Sequence, residues 1–257
     1  MIDTHSHIFD EQFDDDRPEA IKRALEAGVE NIILPAIDST THQKLIDTSL
    51  EYPGICIPAM GLHPTSVNDN PQWREELATI ERYFDELPVS FCAVGEVGLD
   101  LYWSRDYLDH QLEALRFQIE IAIKADLPLI IHTREAWDEM FDLLRPFAGK
   151  IRGVFHSFSG TTEHWKTIRR LDNLRVGIGG VITYKKSYLK NIVREIPLEF
   201  ILLETDSPYL PPVPYRGKRN ESSYLPIIAH AIAEAKNITA EDVSSATTST
   251  ARRLFNL

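Results

Sequence analysis

Apolar and polar residues follow one repeating order along the chain, in which a short apolar run precedes an amphipathic segment. The apolar runs are predicted to be β-strands, and most contain few polar residues, which is typical of parallel strands buried on both faces. Eight such runs are predicted, at residues 1–7, 31–36, 55–61, 91–98, 127–132, 151–156, 174–179 and 199–206.

The segments between these runs carry apolar residues at steps of three and four, as one face of an α-helix does. The clearest example is 107–125, where Leu108, Leu112 and Leu115 begin such a repeat. Further helices are predicted at 17–28, 40–51, 72–86, 134–147, 161–171, 185–195 and 222–236. The tail is expected to add two short helices, and TAED (239–242) has the spacing of a helix capping box.

Eight strand-and-helix units in 257 residues match the number of units and the usual length of a (β/α)₈ TIM barrel, so this fold of the α/β class is predicted. A doubly wound open sheet is the alternative, because a local pattern does not show whether a sheet closes. No long linker or low-complexity block divides the chain, so residues 1–257 are predicted to form one domain.

Composition limits the class of protein. Hydrophobic residues make up 43% and charged residues 26%, as in a soluble globular protein, and no apolar stretch is long enough to span a membrane. The start lacks the pattern of a signal peptide, and Cys56 and Cys92 lack metal-binding spacing. We therefore expect a cytoplasmic protein with two reduced cysteines and no membrane association.

The formal net charge of −12 weakens any expectation of tight nonspecific binding to duplex DNA. Two local basic segments, 184–194 and 215–219, are interpreted as a solvated helix face and a polar loop. A nucleic-acid substrate is still compatible with this charge, because bound cations reverse the local field of a pocket.

Imidazole and carboxylate side chains recur where the predicted strands end. In a TIM barrel these ends converge on the face that carries the active site. His5 and His7 lie two residues apart, so their side chains point to the same side of the first strand. The full set of candidate metal ligands is His5, His7, Glu96, His132, His156 and Asp206.

Taken singly, each of these residues is explained as a hydrogen-bonded core or rim residue. Taken together they would bury several uncompensated groups, and divalent cations would stabilise such a cluster. Nitrogen and oxygen ligands without thiolates suit Zn²⁺, Mn²⁺ or Mg²⁺. The sequence thus predicts one or two divalent metal ions at the mouth of the barrel.

Three further residues are expected near this centre. His63 and Arg134 follow the third and fifth strands, and either could bind an anionic group of a substrate. A local ion pair of Arg134 with Glu135 or Asp138 is an equal alternative. Glu204 precedes Asp206 by two residues and could orient the ligands.

Six motifs, in this order, make the chain resemble the TatD family of metal-dependent hydrolases in the amidohydrolase-like superfamily. They are DTHSH (3–7), GLHP (61–64), GEVGLD (95–100), IHTREA (131–136), FHSFSG (155–160) and ETDSPYL (204–210). The resemblance implies a binuclear site in which His5, His7 and Asp206 hold one metal, His132 and His156 hold the other, and Glu96 bridges them. Ser6, Ser207 and Ser222 depart from residues common in the family, and none of them is a ligand.

The resemblance also implies a deoxyribonuclease that trims DNA from its three-prime end with metal-activated water, with Asp206 as the base and Glu96 in the catalytic set. We expect a monomer that binds DNA or another phosphodiester. Two alternatives stay open: an amidase, lactonase or phosphotriesterase that uses the same site on a small molecule, and a non-catalytic metal-binding protein.

Overall fold

In the computed structural model, which describes residues 1–87 and 89–257, eight parallel strands alternate with helices. The strands are β1 Ile2–Asp3, β2 Asn31–Pro35, β3 Cys56–Ala59, β4 Val94–Asp100, β5 Leu129–Arg134, β6 Gly153–Phe155, β7 Leu174–Ile178 and β8 Ile201–Leu203. The helices are α1 Arg17–Glu26, α2 His42–Glu51, α3 Trp73–Glu86, α4 Leu108–Ala125, α5 Trp137–Leu144, α6 Thr162–Arg170, α7 Leu189–Glu195, α8 Leu225–Lys236 and α9 Ala240–Phe255.

The strands pair in chain order and close into a barrel. The ladders run β1-β2-β3 and β4-β5-β6-β7-β8, all parallel. A parallel bridge between Met60 and Val94 joins the two ladders on one side. On the other side the Thr4 amide donates to the Leu203 carbonyl at 3.0 Å. This closure confirms the predicted (β/α)₈ barrel and rules out the open sheet.

Apolar side chains fill one end of the barrel interior. Ile130 of β5, Val154 of β6 and Leu202 of β8 pack there with Leu254 and Phe255 of α9. The C-terminal helix therefore covers the end of the barrel where the strands begin. Each large aliphatic or aromatic side chain buried in this way contributes about 1.5–3 kcal/mol to stability.

The opposite end of the same strands carries ionisable groups. Because side chains alternate along a strand, the residue two positions after an inward apolar residue again points inward. His132 follows Ile130 in this way, and His156 follows Val154. In β5 and β6 the inward-pointing side chains thus change from apolar to imidazole within two residues along the strand.

Several element boundaries differ from the predicted ones; strands β1 and β8, for example, are shorter than the runs 1–7 and 199–206. Strand β5 continues to Arg134, so the next helix begins at Trp137 instead of 134. Helix α7 begins at Leu189, because the preceding residues form a 3₁₀ turn and an irregular loop. The tail is one 16-residue helix, α9, where two short ones were predicted, because its apolar face packs on the barrel.

The predicted capping box at the start of α9 is confirmed. The Thr239 hydroxyl accepts from the Asp242 amide at 3.0 Å, and an Asp242 carboxylate oxygen accepts from the Thr239 amide at 3.3 Å. These two bonds satisfy amide groups that the first turn of a helix otherwise leaves without partners.

Candidate metal centre

The two histidines that follow β1 face the same point. The Nε2 atoms of His5 and His7 lie 3.2 Å apart, and both side chains are buried. Asp206 Oδ1 lies 3.7 Å from each of these nitrogens. The ligand atoms of His5, His7 and Asp206 are all within 4.8 Å of one another, close enough to bind one cation.

Glu96, inside β4, is the carboxylate that most of the imidazoles share. Its Oε2 lies 3.2 Å from His5 Nε2. Its Oε1 lies 2.6 Å from His156 Nε2 and 2.9 Å from His132 Nδ1. A carboxylate that directs one oxygen to each of two histidine groups has the geometry expected of a bridging ligand.

His156 lies between the two groups. Its ring stacks on that of His5, with centroids 3.9 Å apart. Its Nε2 is also 3.1 Å from His132 Nδ1. The ligand atoms of His5, Glu96 and His156 form a second group within 4.8 Å, so the predicted division of ligands between two metals is not a sharp one in the structure.

His63, predicted as an anion-binding residue, reaches into the same cluster. Its Nε2 lies 3.3 Å from Glu96 Oε1, and its Nδ1 contacts the Thr65 hydroxyl at 2.7 Å. The ligand atoms of His63, Glu96 and His132 form a third group within 4.8 Å. His63 is therefore a further candidate ligand as well as a candidate phosphate-binding group.

Asp100, the last residue of β4, is a further candidate site residue, which the sequence prediction did not include. It is buried, and its Oδ2 lies 3.0 Å from His132 Nε2. A carboxylate on the outer nitrogen of a histidine fixes the tautomer and raises the basicity of the inner nitrogen. The signal in the sequence was the position of Asp100 four residues after Glu96 at the end of one strand.

We expect Asp100→Asn to reduce metal affinity or activity about 10- to 100-fold. The asparagine carbonyl can still accept from the Tyr102 amide, which now donates to Asp100 Oδ1 at 3.0 Å. Its amide group then faces His132 Nε2, so the imidazole proton moves to Nδ1, the atom that points at Glu96. Isothermal titration with Zn²⁺ or Mn²⁺ measures the loss, and exposed Asp15→Asn is the matched control.

An unchanged metal affinity in Asp100→Asn, with an unchanged rate, would show that His132 needs no such partner. Circular dichroism and the melting temperature separate this local effect from general misfolding.

Glu204 lies beneath the cluster and is wholly buried. Its Oε1 accepts from the Ser157 amide, and its Oε2 has no hydrogen-bond partner among the described residues. A Cβ at position 177 would collide with Oε2, so Gly177 leaves the space that this carboxyl occupies. Glu204 is thus placed to support the Ser157 loop, which follows β6 next to His156.

The ionisable groups of the centre are strongly perturbed. Burial opposes ionisation of Glu96, but the surrounding imidazoles, His156 and His63 first, hold its pKa well below the usual range. Burial and the nearby Glu96 charge raise the pKa of Asp206 well above its usual value. Burial likewise raises that of Glu204, with Asp206 adding to the shift.

The pKa values of the histidines are also shifted in opposite directions. Burial lowers the pKa of His7 to about 4, and it lowers the pKa of His5 well below the usual value. Burial also lowers the pKa of His132, but the hydrogen bonds that its ring donates to the Asp100 and Glu96 carboxylates outweigh this effect and raise the pKa to about 9. Neutral His5 and His7 keep lone pairs for a cation, which suits metal ligation.

The donor set therefore fits divalent cations. Imidazole nitrogens that face each other at 3.1–3.2 Å repel unless a proton or a cation lies between them. A cation near Asp206 and Glu96 would also offset the repulsion that raises the pKa of Asp206. The residues that would hold such cations are His5, His7, His63, Glu96, His132, His156 and Asp206.

A cavity of about 390 Å³ opens directly beside these groups. His132, His156 and Asp206 line it together with Phe158 and Leu210. Its volume lies in the lower part of the range of small-molecule sites, about 300–1,000 Å³. The centre is thus accessible to a substrate group of moderate size.

Arg134 lines the same cavity at its rim. Its guanidinium carbon lies 3.6 Å from the centroid of the Tyr102 ring. The alternative ion pairs with Glu135 or Asp138 do not form, and no other carboxylate is within 4.0 Å of this guanidinium among residues 1–87 and 89–257. The Arg134 guanidinium is therefore available to bind an anionic group that enters the cavity.

The other four histidines, and the tryptophans apart from Trp103, lie away from the centre. His42 is buried at the start of α2, and His164 completes the capping box of α6. Trp137 packs against Phe155 and other rings of the α5–β6 region. Trp103 is the exception, because it is exposed near Arg134.

In the described part of the chain, no helix is both long enough and apolar enough to cross a membrane.

Comparison with known proteins places this centre in a family. A family profile described as "TatD related DNase" matches residues 2–256. A Bacillus subtilis protein named "Uncharacterized metal-dependent hydrolase YabD" is 36% identical over 100% of this chain and 99% of its own length. An Erwinia tasmaniensis protein named "3'-5' ssDNA/RNA exonuclease TatD" is 32% identical, with 100% of both chains covered.

The solved structures agree. The crystal structure of YjjV, a TatD homolog from Escherichia coli K12, superposes with a TM-score of 0.93 at 29% identity and covers 100% of this chain and 98% of that one. An Entamoeba histolytica TatD family hydrolase superposes at 0.84 with 22% identity, over 99% of this chain and 97% of that one, which shows the fold. The chain belongs to the TatD family and is a metal-dependent hydrolase.

Proposed function

We propose that the protein is a deoxyribonuclease that hydrolyses phosphodiester bonds at the three-prime end of single-stranded DNA with two divalent metal ions. The observation that carries the proposal is the sharing of Glu96 between histidine groups at the edge of an open cavity. The exonuclease name of the Erwinia relative supports the choice of substrate.

Divalent cations bound at these ligands would supply Lewis acidity toward water and toward the phosphate oxygens. Residues of the chain would transfer the proton, bind the phosphate and orient the ligands. Asp206, on the cavity wall, accepts the proton of the attacking water. Arg134 binds a non-bridging phosphate oxygen from the rim, and Asp100 keeps His132 in its ligating tautomer.

The position of the basic segments favours a polymeric anion as the substrate. The loops after β7 and β8 meet where the Arg216 guanidinium lies 4.4 Å above the Tyr184 ring. Lys185 and Lys186, beside Tyr184, are exposed and have no salt-bridge partner within the described ranges. These loops also form the wall of the cavity at Val181 and Leu210. Lys185, Lys186 and Arg216 thus lie together beside the cavity wall, whereas Lys190 pairs with Glu234 and Arg219 pairs with Asp16 and Glu221.

A small-molecule hydrolase on the same centre is the second candidate. The cavity volume and the net charge of −12 suit a compact substrate as well as a nucleotide. A cytoplasmic location is also part of the proposal, since both cysteines are buried and unpaired. A monomer is proposed with it.

The test is a hydrolysis assay on protein stripped of metal and reloaded with Mg²⁺, Mn²⁺ or Zn²⁺. We expect single-stranded DNA labelled at its five-prime end to yield a ladder shortened from the other end, and a chelator to abolish it. Blunt duplex, RNA and a panel of esters and lactones are run in parallel. Turnover of an ester or lactone without nucleotide release would favour the second candidate, and metal binding with no turnover would favour a non-catalytic protein.

A further inference from the structure

Tyr102 and Trp103 form an exposed aromatic surface at the rim of the metal centre. Trp103 is 69% exposed and Tyr102 is 48% exposed. The two rings meet edge to face with centroids 4.8 Å apart. Large aromatic side chains contribute most to stability when they are buried, so the exposure of two neighbouring ones has no explanation in folding.

Asp100 couples this surface to the metal centre. Its Oδ2 contacts His132 Nε2 at 3.0 Å, while its Oδ1 accepts from the Tyr102 amide at 3.0 Å. The aromatic loop therefore begins at the residue that fixes a metal ligand. The side chain that contacts His132 thus also holds the backbone of the aromatic loop at Tyr102.

Arg134 joins the aromatic surface to the cavity. Its guanidinium lies 3.6 Å from the Tyr102 centroid and 5.9 Å from that of Trp103. The same residue lines the cavity with His132 and Asp206. A planar cation over an aromatic ring keeps its edge available for hydrogen bonds to phosphate.

We propose that Tyr102, Trp103 and Arg134 form a stacking platform for an unpaired nucleobase adjacent to the scissile phosphodiester of a single-stranded nucleic acid. Exposed aromatic faces next to an arginine are the means by which proteins bind single strands without sequence preference. Bases within a duplex have both faces stacked and cannot use the platform. This inference rests on the proposed nuclease function and adds the reason for a preference for single strands.

Trp103→Ala and Trp103→Phe test the platform in metal-loaded protein. The substrates are an oligothymidylate and bis(p-nitrophenyl) phosphate, which carries no nucleobase. Stacking contributes about 1–3 kcal/mol per base, so we expect Trp103→Ala to lower the ratio of kcat/KM for the oligonucleotide to that for the diester about tenfold, mainly through KM. Trp103→Phe retains a ring and should recover most of the ratio. Exposed Leu50→Ala is the control for loss of a surface apolar group.

Binding is measured without turnover as well. A phosphorothioate oligothymidylate should quench the tryptophan fluorescence of the wild type much more than that of Trp103→Phe, because Trp73 and Trp165 are buried and Trp137 is half-buried against Phe155 and His164. A wild type that hydrolyses DNA, with an unchanged ratio in Trp103→Ala or equal quenching in Trp103→Phe, overturns the platform alone. A wild type that hydrolyses the diester but neither binds nor cuts the oligonucleotide overturns the nuclease proposal and the platform together.

Discussion

Asp206→Asn is expected to lower kcat for DNA hydrolysis about 1,000-fold or more while the protein stays folded, because a general base alone contributes about 10²–10⁴-fold. Asp206 Oδ1 lies 3.7 Å from both His5 Nε2 and His7 Nε2, on the wall of the cavity. Asparagine keeps the size of the side chain and one oxygen that can bind a cation, but it cannot accept a proton at neutral pH.

The fold should tolerate this change. In the absence of a cation, burial and Glu96 raise the pKa of Asp206, so the folded protein favours the neutral carboxyl, which asparagine resembles. Because the folded-state pKa is raised, ionisation of Asp206 opposes folding as the pH rises through the range between its unfolded and folded values. The metal-free variant should therefore be at least as stable as the metal-free wild type at pH 7.

Single-turnover kinetics on labelled DNA, with metal content and melting temperature measured on the same sample, test both statements. Asp15→Asn, an exposed change on the same residue type, should retain full activity. An Asp206→Asn enzyme with more than a tenth of the wild-type rate would remove Asp206 from the role of base.

Strand-end positions were predictable from the sequence because two physical rules apply to them together. Parallel strands buried on both faces give continuous apolar runs, and the first polar residue after such a run marks the end at which active sites lie. His132 after LPLII and His156 after IRGVF are examples, and the structure brings both within 2.9 Å of Glu96.

The roles of neighbouring residues were not predictable in this way, because they depend on side-chain direction across strands. Nothing in the local sequence shows that Asp100 contacts His132, 32 residues away, or that Arg134 stacks on Tyr102. The direction of His63 toward Glu96 depends on Thr65, which holds its other nitrogen. Such contacts appear only after the barrel closes and sets the register between strands.

The single C-terminal helix was also not predictable from the local sequence, because it depends on packing against the barrel. SSATTSTA, within α9, has low intrinsic helix propensity, which favours breaks. Packing of Ala251, Leu254 and Phe255 against the barrel interior outweighs that propensity and keeps one continuous helix.

Glu96→Gln is expected to remove most of the bound metal and to reduce activity at least as much as Asp206→Asn does. Two of the three ligand groups contain Glu96, whereas only one contains Asp206. Glutamine retains one carbonyl oxygen but directs an amide group at the imidazoles, where it supplies no charge for a cation. Metal content by plasma mass spectrometry measures the first effect, and exposed Glu120→Gln is the matched control.

The melting temperature tests the role of Glu96 as a metal ligand without an activity assay. A metal present at about 100 times its dissociation constant stabilises the folded state by about 2.7 kcal/mol, which raises the melting temperature of a domain of this size by about 5–10 °C. We expect this rise in the wild type and in Glu120→Gln, most of it in Asp206→Asn, and none in Glu96→Gln. If Glu96→Gln kept the full rise, Glu96 could not be the shared ligand. Loss of the rise in Asp206→Asn as well would mean that Asp206 acts chiefly as a ligand, and the proton would then need another acceptor.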